Sequence, residues 1–219
     1  MSRVFYVLTV HEPILRNALN LLRIACAPNQ KHEAHITVRG PYSRKLSDKY
    51  LAQINAQIAG KRIWMQGAGD FFSHGQSTVF LKVRREKLLR DVWYKPHYPF
   101  NPHLSIYDGP NLLFAQRVSD ILKNHYIRLS FKAEKLIPLE STSGQSMFSF
   151  ENLDSFGFDS RILEREVGEP LPELIRHLRD NVFRLKMIEK AAYFLQHYSY
   201  AQKCDRPLIK GGTLSENFA

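Results

Sequence analysis

Two short segments of the chain each place a histidine two residues before a hydroxyl side chain. They are His35-Ile36-Thr37-Val38 and His103-Leu104-Ser105-Ile106. In a β-strand, residues i and i+2 lie on the same face, so each segment would present an imidazole and a hydroxyl together. If the two strands are neighbours, two histidines and two hydroxyls converge. Such a set of groups is suited to acid–base chemistry on a phosphate.

Phosphodiester hydrolysis needs one group that deprotonates water and another that protonates the leaving oxygen. Two imidazoles with pKa values of about 6.5 can take these roles near neutral pH. The hydroxyls of Thr37 and Ser105 would then donate hydrogen bonds to the non-bridging phosphoryl oxygens. We therefore interpret His35 and His103 as catalytic residues, and we expect the reaction to need neither a metal ion nor a cofactor.

The His-x-Ser/Thr pattern is common enough to arise by chance, and the chain contains a third copy at His197-Tyr198-Ser199. The pattern around this copy predicts a helix, where residues i and i+2 point in different directions. We therefore interpret the third copy as accidental. The two other copies are distinguished by their strand context and by the similar order of elements that follows each of them.

The periodicity of apolar residues predicts an α+β fold with a repeated order of elements. Each half runs from a His-containing strand through a Gly-Pro turn into a helix and then into strands. We expect a two-lobed, duplicated β-sheet with outer helices over residues 1–145 and a helical C-terminal extension over residues 146–219. The predicted strands cover residues 4–10, 34–39, 63–72, 78–83, 103–107 and 127–139, the last as one strand or a pair.

The C-terminal extension contains apolar residues at steps of three and four from Leu171 to Leu195. This spacing predicts a long amphipathic helix. The sequence leaves three roles open for it: packing on the core of its own chain, pairing with a second subunit as a homodimer, or capping the active-site groove.

The positive charge of the chain is concentrated in its first part. Lys and Arg outnumber Asp and Glu by 21 to 10 in residues 1–150, whereas the corresponding numbers are 10 and 11 in residues 151–219. A basic surface attracts phosphate-bearing ligands and steers their approach. We therefore expect an anionic substrate that binds in the part of the chain that holds both histidine motifs.

Several features bear on the location of the protein. No run of residues approaches the length of a membrane span, and the N-terminal strand lacks the features of a signal peptide. The two cysteines, Cys26 and Cys204, provide neither a disulfide framework nor a metal-site spacing. We expect a cytoplasmic protein that does not bind a membrane.

The paired motifs resemble those of the 2H phosphoesterase superfamily, which includes 2′-5′ RNA ligase-like proteins and 2′,3′-cyclic nucleotide phosphodiesterases. The superfamily pattern is two His-x-Thr/Ser tetrapeptides with apolar residues at the second and fourth positions, as in the two segments above, and Pro102 precedes the second histidine as is common in the group. The resemblance covers roughly residues 1–140. It implies a phosphodiesterase whose opening of a cyclic phosphate leaves a 2′-phosphate.

Three further residues are candidates for substrate contacts. Arg39 follows the first motif by the same two-residue step, so it would extend that face of the strand towards phosphate. Tyr42 and Tyr107 lie just beyond their motifs and are candidates for stacking on a base. Each of these residues also has an ordinary structural interpretation, as a strand-end arginine or as packed aromatic residues.

The sequence thus predicts a metal-independent phosphodiesterase acting on 2′,3′-cyclic phosphate or 2′-5′ phosphodiester bonds. Its partners would be RNA ends, oligonucleotides or cyclic nucleotides. Two alternatives stay open at this point. The same groups would serve a reversible 2′-5′ RNA ligase, and a non-catalytic RNA- or nucleotide-binding module could keep the same groove. The motifs leave open which histidine is the acid and which is the base.

Overall fold

The described residues form a mixed α+β fold built on one antiparallel sheet. The structure, a computed structural model, describes residues 3–28, 32–95, 98–141 and 176–203. Its strands are β1 (Arg3–Thr9), β2 (His35–Tyr42), β3 (Arg62–Asp70), β4 (Thr78–Val83), β5 (His103–Asp108), β6 (Arg128–Lys132) and β7 (Ile137–Ser141). Its helices are α1 (Pro13–Cys26), α2 (Asp48–Ile58), α3 (Lys87–Val92), α4 (Leu112–Asn124) and α5 (Asn181–Lys203), with a single 3₁₀ turn at Phe72–His74.

The two histidine strands are neighbours inside the sheet. The strand order is β6-β3-β4-β5-β2-β1-β7, and the chain therefore places β2 beside β5 although they are far apart in sequence. The ladder between β2 and β5 consists of one residue pair, Ile36 with Leu104. The other ladders have four or five pairs each. The sheet thus has a short seam between a β5-β4-β3-β6 part and a β2-β1-β7 part.

Residues 127–139 were predicted to form one strand or a pair, and they form the pair β6 and β7. These two strands lie at opposite edges of the sheet, since β6 pairs with β3 and β7 pairs with β1. Sequence alternation identifies strands but carries no information on which edge a strand joins. Only residues 133–136 separate β6 from β7, and so short a connection requires the sheet to curl until its two edges lie close together.

The strand β2 continues two residues beyond Gly40, where the sequence predicts its end. Gly40 has a φ of 108°, and a Cβ atom at this position would lie 2.7 Å from the carbonyl oxygen of Val4. The glycine therefore permits a close approach of β2 to β1 instead of ending the strand. The amide of Gly40 also donates to the carbonyl of Tyr94, and this bond joins the segment after α3 to the end of β2.

The C-terminal helix packs on the core of its own chain. Its residues Ile188, Ala192 and Leu195 are fully buried in the same cluster as the inner residues of α1. The helix begins at Asn181, whereas the sequence predicts a start near Leu171, which lies outside the described residues. Val182, a member of the predicted apolar stripe, is 62% exposed. Packing within the chain is therefore confirmed, and a homodimer through this helix stays a prediction.

None of the helices in the described ranges combines the length and the apolar composition that a membrane crossing needs. The buried thiol of Cys26 lies at the end of α1, and burial raises its pKa far above the usual value. A thiol in this state is a poor nucleophile. It therefore offers no competing chemistry next to the histidines.

Candidate active site

The seam between β2 and β5 brings the two histidine motifs together. Ile36 and Leu104 lie opposite each other in antiparallel register and are fully buried. The residues on either side of this pair point to the other face of the sheet. This face carries the facing pairs His35–Ser105 and Thr37–His103, which we call the quartet, and all four are half-buried. The register thus places two imidazoles and two hydroxyls on one face of the sheet, as the sequence predicts for neighbouring strands.

Both imidazoles are held by the same type of hydrogen bond. The Nδ1 atom of His35 lies 2.7 Å from the carbonyl oxygen of Glu33, and the Nδ1 atom of His103 lies 2.7 Å from that of Asn101. A carbonyl oxygen only accepts, so Nδ1 must carry the proton in each ring. The Nε2 atom of each neutral ring therefore keeps its lone pair. Both rings are fixed in the tautomer that a general base uses.

The surroundings of His103 are aromatic. Its ring lies 5.3 Å from the ring of Phe71 and 4.9 Å from that of Phe80, measured between centroids. Burial is the main cause that lowers the pKa of His103, and the charge of Lys95 lowers it further. The hydrogen bond to Asn101 acts in the opposite direction.

The surroundings of His35 are more cationic. Burial lowers the pKa of His35 to about 3, and the positive charge of Arg23 is the second cause. The ring of His32 lies 6.2 Å from that of His35 in an edge-on arrangement. Since the pKa values of both quartet histidines lie below 6.5, both rings are neutral at pH 7 when no ligand is bound.

Arg23 is a buried arginine that sequence reasoning missed. It lies on α1 with 4% of its surface exposed, and its guanidinium donates to the backbone carbonyls of Ser105 and His32. These bonds tie α1 to the second motif of the quartet. A signal was present in the sequence, because Arg23 is the one charged residue in the otherwise uncharged run from Ala18 to Cys26. A charge on the buried face of a helix requires a specific partner.

Lys95 is a second cation beside the quartet, at the His103 end. Its Nζ atom lies 5.3 Å from the centre of the Trp93 ring and 4.9 Å from that of Tyr98. Burial lowers the pKa of this lysine. The quartet thus has a buried or half-buried cation near each end, Arg23 at one and Lys95 at the other, which favours an anionic ligand between them.

Arg39 lies at the far end of β2 with its guanidinium engaged by the protein. It donates to the carbonyl of Val92 at 2.6 Å and to the hydroxyls of Tyr42 at 3.1 Å and Tyr50 at 3.2 Å. It is 7% exposed. A phosphate contact would require one of these bonds to be exchanged, so we leave Arg39 out of the proposed phosphate-binding set.

The two tyrosines proposed for base stacking occupy different positions. Tyr42 is stacked on Tyr94, with ring centroids 5.5 Å apart and an interplanar angle of 12°. Tyr107 is 5% exposed and accepts a hydrogen bond from the amide of Asn111 at 3.1 Å. It also packs against Phe114. Base stacking stays a prediction for both, and only Tyr107 borders the cavity described next.

A cavity of about 560 Å³ opens beside the His35–Ser105 end of the quartet. Its walls come from the end of α1, from the turn after β5 and from α5. Helix α5 contributes Arg184 to the lining. The histidine motifs assign no role to this C-terminal part of the chain. This placement follows from the packing of α5 against α1, which no local sequence pattern specifies.

A scan against protein-family models finds no match for this chain, and a search of curated proteins finds no significant similarity.

Proposed function

We propose that this protein is a metal-independent phosphodiesterase that opens 2′,3′-cyclic phosphates or cleaves 2′-5′ phosphodiester bonds in RNA or oligonucleotides. The observation that carries the proposal is the quartet, in which each histidine faces the hydroxyl residue of the other motif across the β2–β5 seam. The common tautomer of the two rings supports it, because each ring then offers Nε2 to the same face of the sheet.

The register of the quartet is compatible with one phosphoryl group bound between its histidines. His35 and His103 are diagonal neighbours across the seam, and residues in this relation typically lie roughly 7–8 Å apart. One Nε2 atom takes a proton from water while the other, in its protonated form, gives a proton to the leaving ribose oxygen. Thr37 and Ser105 donate hydrogen bonds to the non-bridging oxygens as negative charge develops on them.

The short seam of the sheet supports a two-lobed architecture of the 2H phosphoesterase type. Each lobe contributes one histidine strand, and the strands meet at a single ladder pair. In this arrangement a substrate would lie along the seam and contact both lobes.

The negative charge of the substrate affects the protonation of the two histidines. The free protein holds two neutral imidazoles at pH 7, whereas the reaction needs one protonated and one neutral ring. A bound phosphate diester places a negative charge between the rings and raises both pKa values. Substrate binding is therefore coupled to the uptake of a proton by the quartet.

The proposal is tested with a panel of phosphodiesters followed by ³¹P NMR. The panel contains 2′,3′-cyclic mononucleotides, RNA with a 2′,3′-cyclic end, a 2′-5′ linked dinucleotide and a 3′-5′ linked dinucleotide. We expect turnover of the first three with a 2′-phosphate as the product from cyclic ends, and equal rates with and without EDTA. No turnover of any member, or loss of turnover in EDTA, would contradict the proposal.

The pH dependence of kcat/KM follows from the lowered pKa values. The active form of the free protein carries one proton on the two histidines, and its population peaks midway between the two macroscopic pKa values. Burial places both values below 6.5. We expect kcat/KM to peak below pH 6.5 and to fall about tenfold per pH unit above the higher pKa. A peak above pH 7 with a cyclic nucleotide would contradict this assignment.

A further inference from the structure

The cavity beside the quartet has a cationic lining. Arg23 and Arg184 both line it, one from α1 and the other from α5. The acidic residue in its lining is Asp108, which is exposed and accepts a hydrogen bond from the Thr78 hydroxyl at 2.8 Å. The cavity thus has an excess of positive charge directly beside His35.

Arg184 is held in place without being neutralised. Its Nε atom donates to the carbonyl of Ala25 at 2.8 Å, one Nη atom donates to the carbonyl of Cys26, and the other donates to Oδ1 of Asn181 at 3.0 Å. The guanidinium also lies 4.1 Å from the centre of the Phe114 ring. None of these groups carries a negative charge, and Arg184 forms no ion pair with a carboxylate in the described ranges.

The bonds of Arg184 leave two of its five N–H groups for a ligand. A guanidinium with a fixed orientation and remaining donors is well suited to a phosphate group. The cavity volume of about 560 Å³ lies in the range of small-molecule sites and can accept a nucleotide. Because the quartet engages only the reacting phosphate, the rest of the substrate must lie in an adjoining space.

We propose that this cavity binds a second phosphate group of the substrate, adjacent to the reacting one, and that Arg184 of the C-terminal helix contacts it. The proposal rests on the proposed function, since it assumes that the reacting phosphate lies in the quartet. At a 2′,3′-cyclic RNA end the adjacent phosphate is the 5′-phosphate of the same nucleotide. The substrate is then an oligonucleotide end or a 5′-phosphorylated nucleotide, and α5 is part of the binding site.

The first test compares two substrates that share the reacting group. These are adenosine 2′,3′-cyclic phosphate and the same nucleotide with a 5′-phosphate. We expect the 5′-phosphate to raise kcat/KM of the wild-type protein by roughly 10- to 100-fold, the range of a charged hydrogen-bonded contact. In Arg184→Gln the ratio between the two substrates should fall to within about threefold. Lys186→Gln, which removes an exposed charge of the same helix, should keep the wild-type ratio.

A ratio near one in the wild-type protein would overturn the inference, and this comparison needs no variant. A wild-type preference that persists in Arg184→Gln would also overturn it. Arg184 would then act only as a cap for the C-terminal carbonyls of α1. Thermal unfolding of each variant is measured alongside, and Arg184→Lys serves if Arg184→Gln fails to fold. It should give an intermediate ratio, because lysine keeps the charge but lacks the paired donors.

The second test does not depend on catalysis. Calorimetry compares the binding of adenosine 2′,5′-bisphosphate with that of adenosine 2′-monophosphate. We expect the wild-type protein to bind the bisphosphate at least tenfold more tightly than the monophosphate. In Arg184→Gln the two ligands should bind with similar affinity. If this preference is found without turnover of any substrate, the second phosphate site stands and the proposed activity fails. If turnover is found without the preference, the activity stands and the second site is wrong.

Discussion

Replacing His35 or His103 by alanine is expected to lower kcat/KM for a 2′,3′-cyclic nucleotide by about 10²- to 10⁴-fold in each case, the range typical of a lost general acid or base. The two rings have the same tautomer and the same type of hydrogen bond to a backbone carbonyl. Each alanine substitution therefore removes an equivalent structural contact together with one Nε2 atom. Steady-state rates at the pH of maximal activity measure the loss. Wild-type activity in either variant would refute the mechanism.

The double variant and a matched control sharpen this result. Because the two histidines act on one transition state, the double variant should be little slower than the slower single variant. His197→Ala is the control, since His197 belongs to the third His-x-Ser pattern but is exposed on α5. Its ring lies against Tyr193, with centroids 4.1 Å apart. This variant should keep wild-type kcat/KM.

The quartet could be predicted from sequence because it depends on two local properties. Alternation along each strand fixes which side chains share a face, and Ile36, Val38, Leu104 and Ile106 supply the buried face. The one non-local condition, that β2 and β5 are neighbours, is an assumption of the sequence analysis. The structure meets this condition through a single ladder pair.

The interpretation of Arg39 shows the limit of the same reasoning. The two-residue step correctly placed Arg39 on the strand that carries His35, but alternation says nothing about which neighbours a long side chain meets. The segment after α3 joins the end of β2, and the Val92 carbonyl and two tyrosine hydroxyls accept from the guanidinium. Those contacts come from residues that are up to 53 positions away.

The cavity beside the quartet was beyond the reach of sequence analysis for a different reason. It forms where the end of α1 meets α5, and no pattern in residues 176–203 specifies that meeting. The apolar spacing of α5 predicts a buried face but not the surface that covers it. Arg184 acquires its position from this packing, as its bonds to the carbonyls of Ala25 and Cys26 show.

Arg23 should act on both the stability of the fold and the protonation of His35, and two substitutions separate these effects. Arg23→Met keeps much of the side-chain volume but removes the charge and the donors. Two backbone carbonyls in the interior, those of Ser105 and His32, then lose a partner. We expect the free energy of unfolding to fall by about 2–4 kcal/mol, as judged from the cost of unsatisfied buried groups. Urea unfolding measures this change.

The charge of Arg23 has a separate signature in the pH profile. Its positive charge is one of the causes that depress the pKa of His35, so its removal raises that pKa. The active, singly protonated form of the quartet then has its maximum at a higher pH. We therefore expect the peak of kcat/KM in Arg23→Met to move towards neutral pH, which a purely structural role would not produce.

Arg23→Lys provides the matched comparison. A lysine keeps the positive charge at the acidic pH values where the peak lies, but it cannot reproduce the paired donors of a guanidinium. We expect this variant to lose stability while its pH profile stays close to that of the wild-type protein. Equal shifts of the pH profile in both variants would show that geometry, and not the charge of Arg23, sets the protonation of His35. Arg23 would then be a structural tie between α1 and β5 without an electrostatic role in the quartet.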